Sequence, residues 1–157
     1  MAKIEPEGRR GKVAAIVVIA IPLFCLLGLI VYTQTVEAIV QVELDIFSGR
    51  PNPHWTLNER DSQELLQQLQ RLSPTKAGEP SGNLGYRGVI LSNPRGAIAG
   101  FEWIVCSDGL VVGYKGDSSQ KFIDANRNLE RWLVQTGETT LGTDILRSLR
   151  QEFGADF

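Results

Sequence analysis

Histidine is nearly absent from this sequence, and cysteine is scarce: one His and two Cys among 157 residues. Transition-metal centres draw their ligands from His and Cys clusters, and none can be assembled from that supply. Two cysteines are also too few for a disulfide framework. Cys25 lies inside a long apolar run and Cys106 ends a strand-like one, so they do not pair within one molecule. Cys106 reads as a small buried hydrophobe. Calcium could draw on Asp45, Asp108 or Asp117, but no Asp-x-Asp-x-Asp-Gly loop surrounds them. Gly82, Gly85 and Gly88 are spaced by threes, which is neither dinucleotide nor P-loop spacing. Nothing in the sequence calls for a cofactor. Asn-x-Ser/Thr is absent, so no N-glycan is indicated. A basic stripe is missing too: residues 39–157 hold 12 Lys+Arg and 15 Asp+Glu with the signs interspersed. Nucleic acid is therefore not an expected partner.

What the sequence does have is one long apolar run. Residues 13–32, VAAIVVIAIPLFCLLGLIVY, are twenty positions without a charge. As a helix rising about 1.5 Å per residue they span roughly 30 Å, the thickness of a hydrocarbon core. Lys3, Arg9, Arg10 and Lys12 precede the run, and no Lys or Arg follows it until Arg50. The positive-inside bias then leaves residues 1–12 in the cytoplasm and places residues 39–157 on the extracytoplasmic side, periplasmic or lumenal. The expectation is a single-pass signal anchor in contact with membrane lipid. A cleaved signal peptide is the alternative, with Val36 and Ala38 at minus three and minus one, although the apolar run exceeds the usual 7–15 residues. A lipoprotein is excluded by Phe24 before Cys25. The first strand begins a few residues past the run, so the exported domain is expected close to the bilayer.

That domain reads as α+β. Val40, Val42, Leu44 and Ile46 alternate with Gln41, Glu43 and Asp45, the pattern of a half-buried strand. Asn58 is a good N-cap for a helix whose Leu65, Leu66, Leu69 and Leu72 share a face. Residues 73–87 read as a contact loop from their Pro, Gly and Ser content. A meander follows: GVILS, a turn at Asn93-Pro94-Arg95-Gly96, AIAGFEWIVC with Ala99, Phe101, Trp103 and Val105 on one face, a tight turn at Asp108-Gly109, LVVGYK, and a short KFI. Asp124 caps a helix with Ala125, Leu129, Trp132 and Leu133 inward, stopped by Gly137. A last helix presents Leu141, Ile145, Leu146, Leu149 and Phe153. The expected fold is a small antiparallel sheet with about three helices on one face.

One stretch stands apart: FSGRPNPHW, residues 47–55. Pro51 and Pro53 fix two φ angles and bias Arg50 and Asn52 toward extended conformations, while Gly49 permits a sharp turn. The stretch should be a stiff connection from the first strand to the first helix. Its side chains then have little entropy to lose on binding. Candidate contacts are Ser48, Arg50, Asn52, His54 and Trp55, with Tyr86 and Arg87 from the following loop. Trp55 is expected to plug the core beside Leu57. Arg50 either contacts a partner or pairs with a carboxylate such as Asp45. Catalysis would need His54 with Asp45 or Glu102, or a Ser48 arrangement; but Ser48-Gly49 is no Gly-x-Ser-x-Gly elbow. Glu43, Asp45 and Glu102 read as a solvated sheet face.

FSGRPNPHW after a first strand, followed by DANRNLERWLVQTG at residues 124–137, resembles a set of uncharacterised small bacterial exported proteins with an FSGRPNP-type motif. The resemblance spans most of residues 40–137. It implies a bacterial envelope setting and a signature surface over residues 48–55, and brings no activity or cofactor with it. The expected function is an extracytoplasmic binding or scaffolding module, an accessory subunit of a larger membrane protein complex. The alternatives are an envelope hydrolase using His54 with Asp45 or Glu102, and a secreted binding protein cleaved after Ala38.

Overall fold

The computed structural model describes residues 39–76, 78 and 85–154. The apolar run at 13–32 and the Ala38 junction lie outside them. Among the described residues no helix is long and apolar enough to cross a membrane.

Among the described residues seven strands form one sheet: β1 (Gln41–Asp45), β2 (His54–Thr56), β3 (Ser73–Thr75), β4 (Gly88–Ser92), β5 (Trp103–Ser107), β6 (Leu110–Lys115) and β7 (Ser118–Ile123). Their order across the sheet is β2-β1-β4-β5-β6-β7-β3, and every neighbouring pair is antiparallel. Among the described residues three helices, α1 (Glu59–Arg71), α2 (Asn128–Thr136) and α3 (Thr143–Phe153), join the sheet in an α+β fold.

Side-chain parity makes the core. Val42, Leu44, Val89, Leu91, Ile104, Cys106 and Val111 point to one face of the sheet and are buried. Against them pack Leu65 of α1, Leu129, Leu133 and Val134 of α2, and Leu149 and Phe153 of α3, all in the same apolar cluster. Val40 and Leu44 are fully buried, as the alternation in β1 required. Asn58 caps α1 with its side chain on the Asp61 amide at 2.8 Å. Asp108 and Gly109, at φ +51° and +77°, make the tight β5–β6 turn, where two positive φ angles match the strand twist.

Four expectations need correction. FSGRPNPHW does not run straight into the first helix: residues 54–56 return as β2, which pairs Val42 with Trp55 and Glu43 with His54. Likewise Ser73–Thr75, expected as loop, form the far edge strand, its Pro74 blunting the open edge where a missing N–H costs no ladder bond. In AIAGFEWIVC the chain turns at Ala99 and Gly100, both at positive φ, and the strand starts at Trp103. Ile104 and Cys106 face the core there, and Trp103 is 39 % exposed. Finally, α2 starts at Asn128, so Ala125 belongs to a short 3₁₀ turn and is exposed. Asp124 still caps the helix from across that turn, its two carboxylate oxygens taking the Leu129 and Glu130 amides at 3.0 Å each. This cap holds Asn126 and Arg127 in left-handed conformations (φ +58° and +57°), which cost about 1–2 kcal/mol each outside glycine.

Candidate functional site

The 47–55 stretch is the loop and return strand of the β1–β2 hairpin. Leu44 N–H donates to the Pro53 carbonyl at 2.9 Å and closes it at the strand ends. Gly49 supplies the sharp turn at φ +91°. Asn52 then stitches the loop to the strand behind it. Its Oδ1 accepts from the amides of Phe47 at 2.9 Å and Ile46 at 3.2 Å, and its Nδ2 donates to Glu43 at 2.8 Å and Asp45 at 3.1 Å. Both donors and both lone pairs of the amide are used.

A second clamp comes from the other side. Arg87 forms a bidentate pair with Asp45, through Nε at 2.9 Å and through NH2, and also donates to Ser48 Oγ at 3.3 Å and the Phe47 carbonyl at 2.9 Å. The Arg87 hydrogen bonds hold the Asp45 carboxyl below its usual range, against partial burial, with Asn52 adding to the effect. Arg50 therefore does not pair with Asp45, since Arg87 already occupies that carboxylate. Its guanidinium lies over the Phe47 ring, 3.4 Å from the centroid, and it is exposed. Its N–H groups have no acceptor among the described residues.

Trp55 is a core residue, 8 % exposed. Its indole N–H donates to Thr136 Oγ1 at 2.9 Å, and Thr136 donates onward to the Leu133 carbonyl at 2.6 Å. The ring lies directly over Gly137, where an added Cβ would fall 2.5 Å from Cε2. So Gly137 does more than end α2: it makes room for Trp55.

Tyr86 was expected beside Arg87 in a contact loop, and the structure turns it inward. Its hydroxyl donates to Glu130 Oε1 at 2.5 Å, and its ring meets Phe153 edge-on. Glu130 is completely buried. Arg127 neutralises it through Nε at 2.9 Å and NH2 at 3.2 Å, and reaches Glu152 at 3.0 Å. The Arg127 guanidinium also lies over the Phe153 ring, 4.3 Å from its centroid. Burial, with the Glu130 carboxylate beside it, pushes the Tyr86 phenol far above its ordinary range, so it stays protonated and donates to Glu130. Burial likewise raises the Cys106 thiol well up, reinforced by Glu130 and Asp124, which leaves it inert. The sequence reading missed this cluster. A signal existed in DANRNLERWL: Arg127 and Glu130 sit three apart, at helical spacing for an ion pair. Nothing in the sequence shows that Glu130 faces inward.

The structure does not bring the catalytic candidates together. Asp45 is engaged by Arg87 and Asn52, and Ser48 Oγ accepts from Arg87. His54 is exposed on β2, opposite Glu43, and no hydrogen bond joins it to Ser48, Asp45 or Glu102 among the described residues. Glu102 does not join Glu43 across the sheet either: Glu43 pairs with Ile90 and Ile90 with Val105. No group of three His, Cys, Asp or Glu residues able to hold a metal occurs among the described residues. A groove of about 750 Å³ runs between α1 and the start of α2, past Arg60, Gln67, Arg71 and Asn128. None of the seven candidate residues borders it.

No protein family, curated protein or solved structure matches the chain.

Proposed function

We propose that this chain is a single-pass membrane protein whose extracytoplasmic α+β domain binds rather than catalyses, as an accessory subunit of a larger membrane protein complex. Residues 13–32 contact lipid, residues 1–12 stay in the cytoplasm, and the hairpin loop at 47–54 meets the partner. The observation that carries the reading is the state of Arg50. It stands exposed on a loop pinned by Asn52 and Arg87, braced on Phe47 at 3.4 Å, with its guanidinium edge free of any carboxylate among the described residues. A pre-organised cation with open donors is what planar recognition of a carboxylate on a partner needs, because little freedom remains to be lost on docking. His54, exposed on the neighbouring strand, extends the same surface.

The test is native co-purification of tagged full-length chain from membranes in mild detergent, beside the Arg50→Ala/His54→Ala double variant. Stoichiometric partners that the folded double variant no longer retains would support the reading. Equal retention by both would remove the loop from the interface, and a wild-type chain purifying alone would remove the accessory-subunit assignment.

A further inference from the structure

The face of the sheet turned away from the helices carries an aromatic platform that the hairpin loop does not use. Trp103 and Tyr114 pair across β5 and β6 and stack with centroids 3.8 Å apart and planes 5° from parallel. Trp103 is 39 % exposed. Neither its indole N–H nor the Tyr114 hydroxyl has a hydrogen-bond partner among the described residues. Ile90 and Val105, half-buried, continue the apolar surface one row inward. The opposite end of this face is different: Gly78 lies over it, 3.5 Å from Leu110 on placing a Cβ, with its carbonyl on Lys121 at 2.8 Å.

We infer that the Trp103–Tyr114 platform docks on the headgroup boundary of the bilayer that holds residues 13–32, so that the anchored domain lies against the membrane in one orientation. This rests on the membrane-anchor reading above. The sheet register supplies the argument. Gln41 pairs with Ser92, Ser92 with Trp103 and Trp103 with Tyr114, so the platform stands in the row where β1 begins. Two interstrand steps put Trp103 about 10 Å from that point. Only eight residues, 33–40, separate the apolar run from Gln41, a reach of at most about 28 Å. The platform thus stands at the end of the sheet where the chain from the apolar run enters. A flat ring pair with apolar faces and unsatisfied polar tips suits that boundary, where one side is apolar and the other wet. Charge selects the occupant. Arg95 and Lys115 at this end are balanced by Glu102 and Asp117, so nothing favours an acidic protein patch or an anionic lipid over a neutral headgroup layer.

The test reconstitutes full-length chain in phosphatidylcholine vesicles and compares it with Trp103→Phe, which keeps a ring on Tyr114. Trp55 and Trp132, present in both and packed on the core, report that the domain is folded. The emission lost on substitution is the Trp103 component. Lipids brominated near the headgroup end of the acyl chain should quench most of that component, and iodide on both sides of the bilayer should quench little. Iodide quenching without bromolipid quenching would overturn the docking while leaving the anchor standing, provided the chain stays with the vesicles through an alkaline carbonate wash. Loss of the chain in that wash would overturn the anchor and the docking together. Protection from both quenchers would overturn the docking in favour of a second copy covering the platform.

Discussion

Replacing Asn52 by Asp changes one atom, and the structure makes that atom decisive. The Asn52 Nδ2 group donates to Glu43 at 2.8 Å and to Asp45 at 3.1 Å. In Asn52→Asp a carboxylate oxygen takes its place, facing two other carboxylates. Two hydrogen bonds to charged acceptors are lost, each about 1 kcal/mol at a half-exposed site. Repulsion is added: unit charges about 4 Å apart cost about 1 kcal/mol in water and about 4 kcal/mol at the effective dielectric of a protein surface. Arg87 beside Asp45 offsets part of this, so the total at pH 7 should be about 2–4 kcal/mol. Asn52→Ala is the control. It loses all four hydrogen bonds but adds no charge, and its two orphaned amides, at Ile46 and Phe47, are only partly buried. It should cost about 1–2 kcal/mol.

The sign of the pH dependence separates the two. The substituted carboxylate, crowded by Glu43 and Asp45, has a folded-state pKa raised above its unfolded value. Its penalty is complete above that raised pKa and is relieved as pH falls through it, because the folded state then binds the extra proton. Protonated, the Asp side chain regains a donor and keeps its acceptor for Phe47. Asn52→Asp should therefore be less stable than Asn52→Ala at pH 7 and more stable at about pH 4. Urea unfolding of residues 37–157, which form their own compact unit, measures this through tryptophan fluorescence, in which buried Trp55 becomes exposed. If Asn52→Asp lies within about 0.5 kcal/mol of wild type at pH 7, or if the two variants keep their order at both pH values, Asn52 does not hold the loop in this way.

Three further outcomes follow from the same contacts. Because Asp45 titrates below its usual range against Arg87, its contribution is complete above the ordinary carboxylate value, about pH 4, and is lost as pH falls through the lowered folded-state value; Arg87→Gln should flatten stability over that window in acid-unfolding curves. Asp124→Ala leaves the buried Leu129 and Glu130 amides without acceptors and should cost about 2–4 kcal/mol, with Asp124→Asn costing about half as much by the same urea measurement. Gly137→Ala must displace the Trp55 ring, so it should cost about 1–3 kcal/mol and shift Trp55 emission to longer wavelength.

The elements with a clean period were legible in the sequence. β1 alternates over its whole length, and α1 and α3 each carry a leucine-rich stripe, so parity and helical spacing gave their inward faces without tertiary information. The two edge strands were not legible. His54–Thr56 and Ser73–Thr75 have three residues each, too few to show alternation, and both sit among prolines that read as loop. They exist because β1 and β7 offer them unpaired ladder groups, a property of the sheet rather than of the segment. The site was legible in the same partial way. Two prolines and a glycine marked residues 47–55 as stiff. What pins the stretch is Arg87, 39 residues beyond Ser48, whose role no local pattern encodes.

Adjacent residues with opposite directions explain why the two quoted motifs belong together. Arg87 reaches outward to Asp45, Ser48 and the Phe47 carbonyl, while Tyr86 reaches inward to Glu130 beside Arg127. Trp55 adds a third tie, to Thr136. FSGRPNPHW and DANRNLERWLVQTG are therefore joined through one dipeptide and one indole, which makes most of their polar residues structural. Ser48, Asn52, Trp55, Tyr86 and Arg87 already have partners inside the domain. A residue whose hydrogen bonds are satisfied internally must break them to bind elsewhere, and that cost argues against its use as a contact. Arg50 and His54 are the candidates with no such cost. If the loop at 47–54 recognises a partner, these two side chains do the recognising, and the remainder of the motif is the frame that holds them.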